Sequence, residues 1–95
     1  MLFTMFCIDK PGVLETRKEV MPAHIEYLST APVKIVISGP LVSDDGESIV
    51  GSLYLFEAED RAAVEEFQAN DPLVKADIWE TVEVRAFNKR VDNRD

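Results

Sequence analysis

The sequence predicts an α+β fold with the element order βαββαβ, the ferredoxin-like arrangement in which four antiparallel strands form one sheet. Three observations support this prediction. Two runs that are apolar on both faces, at 2–8 and 48–57, have the character of central strands. Apolar residues recur at helical spacing after each of these runs. A turn signal at 43–46, rich in Asp and ending in Gly, separates the second and third strands.

The first half of the chain supplies one strand and one helix. The strand at 2–8 ends at a loop signal, 9–12, that contains Pro and Gly. The helix at 13–30 is predicted because residues of one face recur at steps of four and three, and these are Val13, Arg17, Val20, His24 and Tyr27. Ala31-Pro32 ends it. Pro22 removes one hydrogen bond from the helix, so the helix either bends there or restarts as a second segment.

The second half supplies three strands and a second helix. The strands are predicted at 33–41, 48–57 and 78–87. Between the last two strands, helical spacing returns in Ala62, Ala63, Val64, Phe67 and Gln68, and Glu59 or Asp60 is the N-cap candidate. Residues 1–88 therefore form one domain, and 89–95 form a polar C-terminal tail.

Composition excludes several classes of partner. A net charge of −8, with no clustered Lys or Arg, argues against nucleic-acid binding. The apolar N-terminus is too short to span a membrane. One cysteine, Cys7, cannot form an internal disulfide, which favours a reducing, cytoplasmic location. The chain has no metal-ligand spacing, dinucleotide fingerprint or phosphate loop, so we predict no metal and no cofactor.

The two central strands also predict an oligomer. Two helices can cover only one face of a four-stranded sheet, and a large apolar patch on the other face is rarely left exposed in a soluble monomer. We therefore predict a homodimer that packs through the sheet face. Trp79 and Phe87 are separated by an even number of positions in the last strand, which puts both side chains on the same face. Both are therefore predicted to lie in that interface.

The hairpin brings glycines and hydroxyls together. If Asp44-Asp45-Gly46 is a three-residue turn, Ser38 pairs with Ser52 and Gly39 pairs with Gly51. That bare stretch of backbone either lets a ligand approach the sheet closely or provides a bulge or bend for sheet curvature. Pro40 suits an edge strand, which is where this topology puts the second strand.

His24, the only histidine, is the candidate for proton chemistry because imidazole changes charge near neutral pH. It shares a helix face with Arg17 and Tyr27. Burial disfavours the imidazolium ion and a neighbouring ionised carboxylate favours it, and the sequence leaves that balance open. The alternative is a core histidine with structural partners, in which case Asp71 only caps the turn before Pro72.

Several of these motifs together resemble the YCII-related (YciI-like) family. They are Asp9-Lys10-Pro11-Gly12, Met-Pro-Ala-His-x-x-Tyr-Leu at 21–28, Ser38-Gly39-Pro40-Leu41, Gly51-Ser52-Leu53 and Asp71-Pro72-Leu73. The resemblance implies a dimeric α+β barrel of ferredoxin-like protomers, with a pocket that holds a His–Asp pair. The matching positions here are His24 and Asp71. A few relatives are dehydrochlorinase-type enzymes, and many have Arg where this chain has Met21.

Two functions follow as hypotheses. In the first, the chain is a small cofactor-independent enzyme in which His24 and Asp71 perform general acid/base chemistry (elimination, isomerisation or hydrolysis) on a small, possibly aromatic molecule. In the second, it is a non-catalytic ligand-binding or accessory domain. Haem or quinone oxygenase chemistry, which similar dimeric barrels support, is a third and weaker hypothesis. The predicted substrate-binding residues are Arg17, Tyr27, Ser38, Gly39, Pro40, Gly51, Ser52 and Pro72.

Overall fold

The computed structural model describes residues 1–94 and contains one four-stranded antiparallel sheet with its helices. The elements are β1 (Leu2–Asp9), α1 (Leu14–Ser29), β2 (Lys34–Val42), β3 (Ile49–Glu57), α2 (Arg61–Ala69), α3 (Pro72–Lys75) and β4 (Trp79–Phe87). The strand order is β2-β3-β1-β4, so the two apolar strands are central. This confirms the ferredoxin-like prediction, with α3 as one additional helical turn.

The hydrophobic core lies between the helices and one face of the sheet. Alternate residues of the two central strands point into it, because successive side chains in a strand face opposite ways. From β1 these are Phe3, Met5 and Cys7, and from β3 they are Tyr54 and Phe56. The apolar residues on the other face of both strands are left without helices above them.

The hairpin register differs from the predicted one. The Ser43 amide donates to the Ser48 carbonyl at 2.9 Å, so the turn is wider than three residues. Val50 is an extra residue in the ladder, since Leu41 pairs with Gly51 and Val42 with Ile49. The predicted Ser38–Ser52 and Gly39–Gly51 pairs were therefore wrong. Ser38 pairs with Tyr54, Gly39 with Leu53, and Pro40 with Ser52.

A second irregularity changes the position of Trp79. Ile8 pairs with Thr81 but Asp9 pairs with Trp79, so Glu80 is an extra residue that reverses the side-chain alternation of β4. Trp79 consequently packs in the core, with its ring edge-on to Tyr54. Phe87 remains exposed on the helix-free face. The prediction that Trp79 lies in a sheet-to-sheet interface was wrong for this reason.

The helices begin and end close to the predicted positions. Pro22 lies inside α1, which continues through it, so the helix does not restart before His24. At the start of α2, the Asp60 carboxylate accepts a hydrogen bond from the Ala63 amide, which makes Asp60 the N-cap. None of the helices within residues 1–94 has the length and apolar character needed to cross a membrane. Residues 88–94 of the C-terminal segment form no helix or strand, and Asp95, the end of the predicted tail, lies outside the described residues.

Candidate functional site

A cleft of about 340 Å³ lies between α1 and the β2–β3 hairpin. One wall is a face of α1, and the floor and far wall come from the two strands. The lining residues are Arg17, Met21, His24, Ile25, Leu28, Ser38, Gly39, Pro40, Ile49, Ser52 and Tyr54. Most of this surface is apolar, with a few polar groups, which is the usual composition of a small-molecule site.

His24 and Asp71 meet beside this cleft. The imidazole Nδ1 lies 2.8 Å from the Asp71 Oδ1, and both side chains are buried. Asp71 is also the N-cap of α3, because the same Oδ1 accepts a hydrogen bond from the Leu73 amide at 2.9 Å. Pro72 follows at the first helical position, where its fixed φ suits the start of a helix. Capping and the histidine contact therefore coexist at one carboxylate.

The geometry around His24 identifies a third polar group, Tyr54. An ionised carboxylate can only accept hydrogen bonds, so Nδ1 carries the proton that faces Asp71. In the neutral ring Nε2 is then an acceptor, and the Tyr54 hydroxyl lies 3.3 Å from it. Burial first, and then the Asp71 carboxylate, raise the pKa of Tyr54, which keeps the phenol protonated and able to donate.

Tyr54 was not among the residues predicted for the site. Its position in an apolar strand is typical of core packing, and the ring does stack on Phe56. The available signal was the alternation of β3, which puts Tyr54 on the same face as the candidate residue Ser52.

Arg17 lines the same cleft and is held in a second polar cluster. Its Nη1 donates to both Asp9 oxygens at 3.0 and 3.1 Å, and its Nη2 donates to the Ser52 hydroxyl at 2.7 Å and the Gly51 carbonyl at 3.2 Å. Within residues 1–94, Nε is the guanidinium nitrogen that has no hydrogen-bond partner. Burial raises the pKa of the Asp9 carboxyl, and Arg17 acts in the opposite direction. Arg17 thus orients the Ser52 hydroxyl.

The predicted substrate-binding residues fall into two groups. Five of them line the cleft, and these are Arg17, Ser38, Gly39, Pro40 and Ser52. Tyr27 lies elsewhere, because its hydroxyl donates to the Phe67 carbonyl at 2.7 Å and its ring stacks on Phe67. Pro72 is the first residue of α3. Gly51 lies where the sheet is tightest, since a Cβ there would be 2.1 Å from the Cys7 carbonyl oxygen.

Metal-ligating side chains do not converge in the part of the chain that the structure describes, where no group of three His, Cys, Asp or Glu residues could hold an ion.

Cys7 is buried in β1 as a free thiol. Burial raises its pKa to about 12, so it stays protonated and unreactive at neutral pH.

Comparison with known proteins identifies related sequences and structures. The model of the YCII-related domain matches residues 1–88. Protein YciI of Escherichia coli O6:H1 is 30% identical over 96 residues, which cover 94% of this chain and 98% of that protein. An uncharacterized protein of Haemophilus influenzae is 29% identical over the same shares.

Among solved structures, the chain is similar to 5-chloro-2-hydroxyhydroquinone dehydrochlorinase (TftG) from Burkholderia phenoliruptrix AC1100, in complex with 2,5-dihydroxybenzoquinone. The identity is 33% and the TM-score 0.84, over 93% of this chain and 94% of that one. An antibiotic biosynthesis monooxygenase, at 14% identity and a TM-score of 0.59 over 96% of this chain and 100% of that one, shares the fold.

Proposed function

The chain belongs to the YCII-related domain family, and we propose that it is a cofactor-independent enzyme that uses His24 and Asp71 for general acid/base chemistry on a small hydroxylated ring compound. The observation that carries this proposal is the 2.8 Å contact between His24 Nδ1 and Asp71 Oδ1 at the wall of an open cleft. A histidine that is oriented by a carboxylate and reaches a ligand cleft has the geometry that proton transfer requires.

Asp71 has two tasks in this proposal. It holds the imidazole in the tautomer whose Nε2 lone pair is free to take a proton, and it stabilises the imidazolium that results. Elimination, isomerisation and hydrolysis each remove a proton from one position and return it at another, so a single His–Asp pair can serve any of them. The polar groups of Ser38 and Ser52 are available to hold the ligand's oxygens in the cleft.

The ligand class comes from the dehydrochlorinase of similar structure. That protein is named for a chlorinated, hydroxylated ring and was crystallised with 2,5-dihydroxybenzoquinone. A flat ring with oxygen substituents suits a cleft that is mostly apolar and has a few hydroxyl-bearing residues in its lining. We therefore propose a ligand of this kind for the present chain.

A ligand titration tests the proposal. We would measure the thermal shift that 2,5-dihydroxybenzoquinone produces in the wild type and in the variants H24Q and D71N, and then follow turnover of hydroxylated and chlorinated hydroquinones by absorbance. We expect the ligand to stabilise the wild type, both variants to lose at least tenfold in affinity or turnover, and E26Q, an exposed change on the same helix, to match the wild type.

The outcomes separate the two hypotheses. Equal ligand shifts in the wild type, H24Q and D71N would place binding away from the pair and refute the acid/base proposal. Binding that depends on the pair without turnover of any tested compound would favour the alternative, a ligand-binding or accessory domain.

We also propose that two copies of the chain pair through the helix-free face of the sheet. Apolar side chains on this open face are exposed in the protomer, and they include Phe6, Ile37, Leu53 and Phe87. Phe6 and Leu53 are cross-strand neighbours at its centre. An apolar patch of this kind is typical of an interface.

Sedimentation of two charge variants tests the dimer. L53K introduces a charge at the centre of the open face, where Leu53 is 42% exposed, and L14K introduces one on α1, where Leu14 is 44% exposed. We expect L53K to be a monomer and L14K to sediment as the wild type does. A monomeric wild type would refute the proposal.

A reducing, cytoplasmic location is proposed as well, because Cys7 is a buried free thiol.

A further inference from the structure

Tyr54 holds its hydroxyl in a fixed position on the cleft wall. Its ring stacks on Phe56 at a centroid distance of 5.3 Å and meets the edge of Trp79 at 6.3 Å. The phenol therefore has little rotational freedom, and its oxygen stays 3.3 Å from His24 Nε2. Tyr54 is buried and lines the cleft together with His24.

The hydrogen bonds around Tyr54 run in one direction. A guanidinium can only donate, so the Ser52 hydroxyl accepts from Arg17 and its own proton is free for another acceptor. Ser52 acts to lower the pKa of Tyr54, against the larger opposing effect of burial. At the other end, the Asp71 carboxylate can only accept. The Tyr54 hydroxyl thus donates to His24 Nε2 at 3.3 Å, and His24 Nδ1 donates to Asp71 at 2.8 Å.

We propose that Tyr54 is a catalytic residue, through which a ring hydroxyl bound in the cleft exchanges its proton with His24. The inference rests on the proposed function and adds the group that touches the ligand. In the forward step the ligand O–H bond breaks and its proton bonds to the Tyr54 oxygen. At the same time the Tyr54 proton moves to His24 Nε2. The ligand becomes an oxyanion, His24 becomes an imidazolium beside Asp71, and Tyr54 ends neutral.

This arrangement gives Tyr54 two roles. After the transfer, the phenol O–H points at the ligand oxyanion and stabilises it by a charge-assisted hydrogen bond. Tyr54 separates the imidazolium from the ligand, so the positive charge that forms on His24 lies next to the Asp71 carboxylate. The reverse step returns the proton along the same groups.

The experiment uses 4-nitrophenol as the probe, because its visible absorbance distinguishes phenol from phenolate. It is titrated with the full chain at a pH where the free probe is mainly neutral, and the ratio of ionised to neutral bound probe is measured for the wild type, Y54F, Y27F and H24Q. We expect the wild type to ionise the probe. Y54F should lower the ratio about tenfold or more, because a hydrogen bond to a charged group is lost. H24Q should abolish ionisation.

Y27F is the matched control. It removes the hydroxyl of the other tyrosine, which donates to the Phe67 carbonyl and lies away from the cleft, so it should match the wild type. A Y54F protein that ionises the probe as well as the wild type would overturn the inference and leave His24 acting directly, with the proposed function intact. Two outcomes would count against the proposed function itself. In one, the wild type does not bind or ionise the probe. In the other, H24Q ionises the probe as well as the wild type does.

Nitrogen-15 spectra of the unliganded wild type keep the inference testable even where Y54F does not fold. His24 is the only histidine, so its ring signals are unambiguous. We expect a protonated Nδ1 and an unprotonated Nε2 that accepts from Tyr54. A neutral ring whose proton is on Nε2 would reverse the donor order and overturn the inference.

Discussion

The buried ion pair between Arg17 and Asp9 gives a prediction with a definite size. The two side chains are 3% and 7% exposed, and the Nη1 of Arg17 lies 3.0 and 3.1 Å from the two carboxylate oxygens. Removing one partner of a buried pair leaves an uncompensated charge, which costs about 3–5 kcal/mol. We expect D9N to lose about 3 kcal/mol, at the lower end, because the Asn carbonyl still accepts one hydrogen bond.

R17M should behave differently from D9N. It leaves the Asp9 carboxylate buried and removes the group that opposes the rise in its pKa. A carboxyl whose folded pKa is raised above its unfolded value stabilises the fold below the unfolded value, and that stability is lost as pH rises through the folded pKa. The stability of R17M should therefore recover as the pH falls toward 3.8, the unfolded value.

The double variant D9N/R17M removes both charges and isolates their coupling. Urea unfolding followed by the fluorescence of the single tryptophan, Trp79, measures the free energy of unfolding of all four proteins. We expect the double variant to lose about 2 kcal/mol less than the sum of the single losses. Losses that add to within about 0.5 kcal/mol would show that the two side chains do not interact, and would refute the reasoning.

Three further predictions concern the sheet, the thiol and a helix cap. G51A should destabilise the fold by more than about 3 kcal/mol, because its Cβ would lie 2.1 Å from the Cys7 carbonyl oxygen, whereas G39A, which meets nothing within 4 Å, should change the midpoint of thermal unfolding little. Cys7 should resist alkylation at pH 8 until urea unfolds the chain. Its pKa rises from 9.0 to about 12 on folding, so the free energy of unfolding should fall between those pH values by about 1.4 kcal/mol per pH unit. The variant C7A should reduce that slope. D60A should cost about 1 kcal/mol in urea unfolding through loss of the α2 N-cap, and E59A should cost less than about 0.5 kcal/mol; equal losses would contradict the cap assignment.

The fold was predictable because local and global signals agree in this chain. The two apolar runs identify the central strands, and Pro, Gly and Asp clusters separate the elements. The N-cap of α2 was narrowed only to Glu59 or Asp60, and the structure decides in favour of Asp60. These features depend on a few neighbouring residues, so a single sequence contains them.

The details of the cleft were less predictable because they depend on pairing between strands. Extra residues at Val50 and Glu80 shift the register of two strand pairs. Gly51 allowed a bulge next to Val50 as one alternative, but nothing in the sequence near Glu80 marks a bulge. The two extra residues decide which residue lies opposite Ser38 and which face Trp79 occupies. The role of the Tyr54 hydroxyl likewise depends on the distance between β3 and α1, and an aromatic residue in an apolar strand is otherwise typical of core packing.

One carboxylate oxygen of Asp71 serves both the Leu73 amide and the His24 ring. The four residues of α3 are too few to be helical without that cap. The orientation of the imidazole therefore depends on the helical conformation of this short turn, and the two are lost together. Local unfolding of α3 would move the Asp71 carboxylate away from the His24 ring without unfolding of the rest of the protomer. Local fraying of α3 can thus change the orientation of the imidazole while the sheet stays intact.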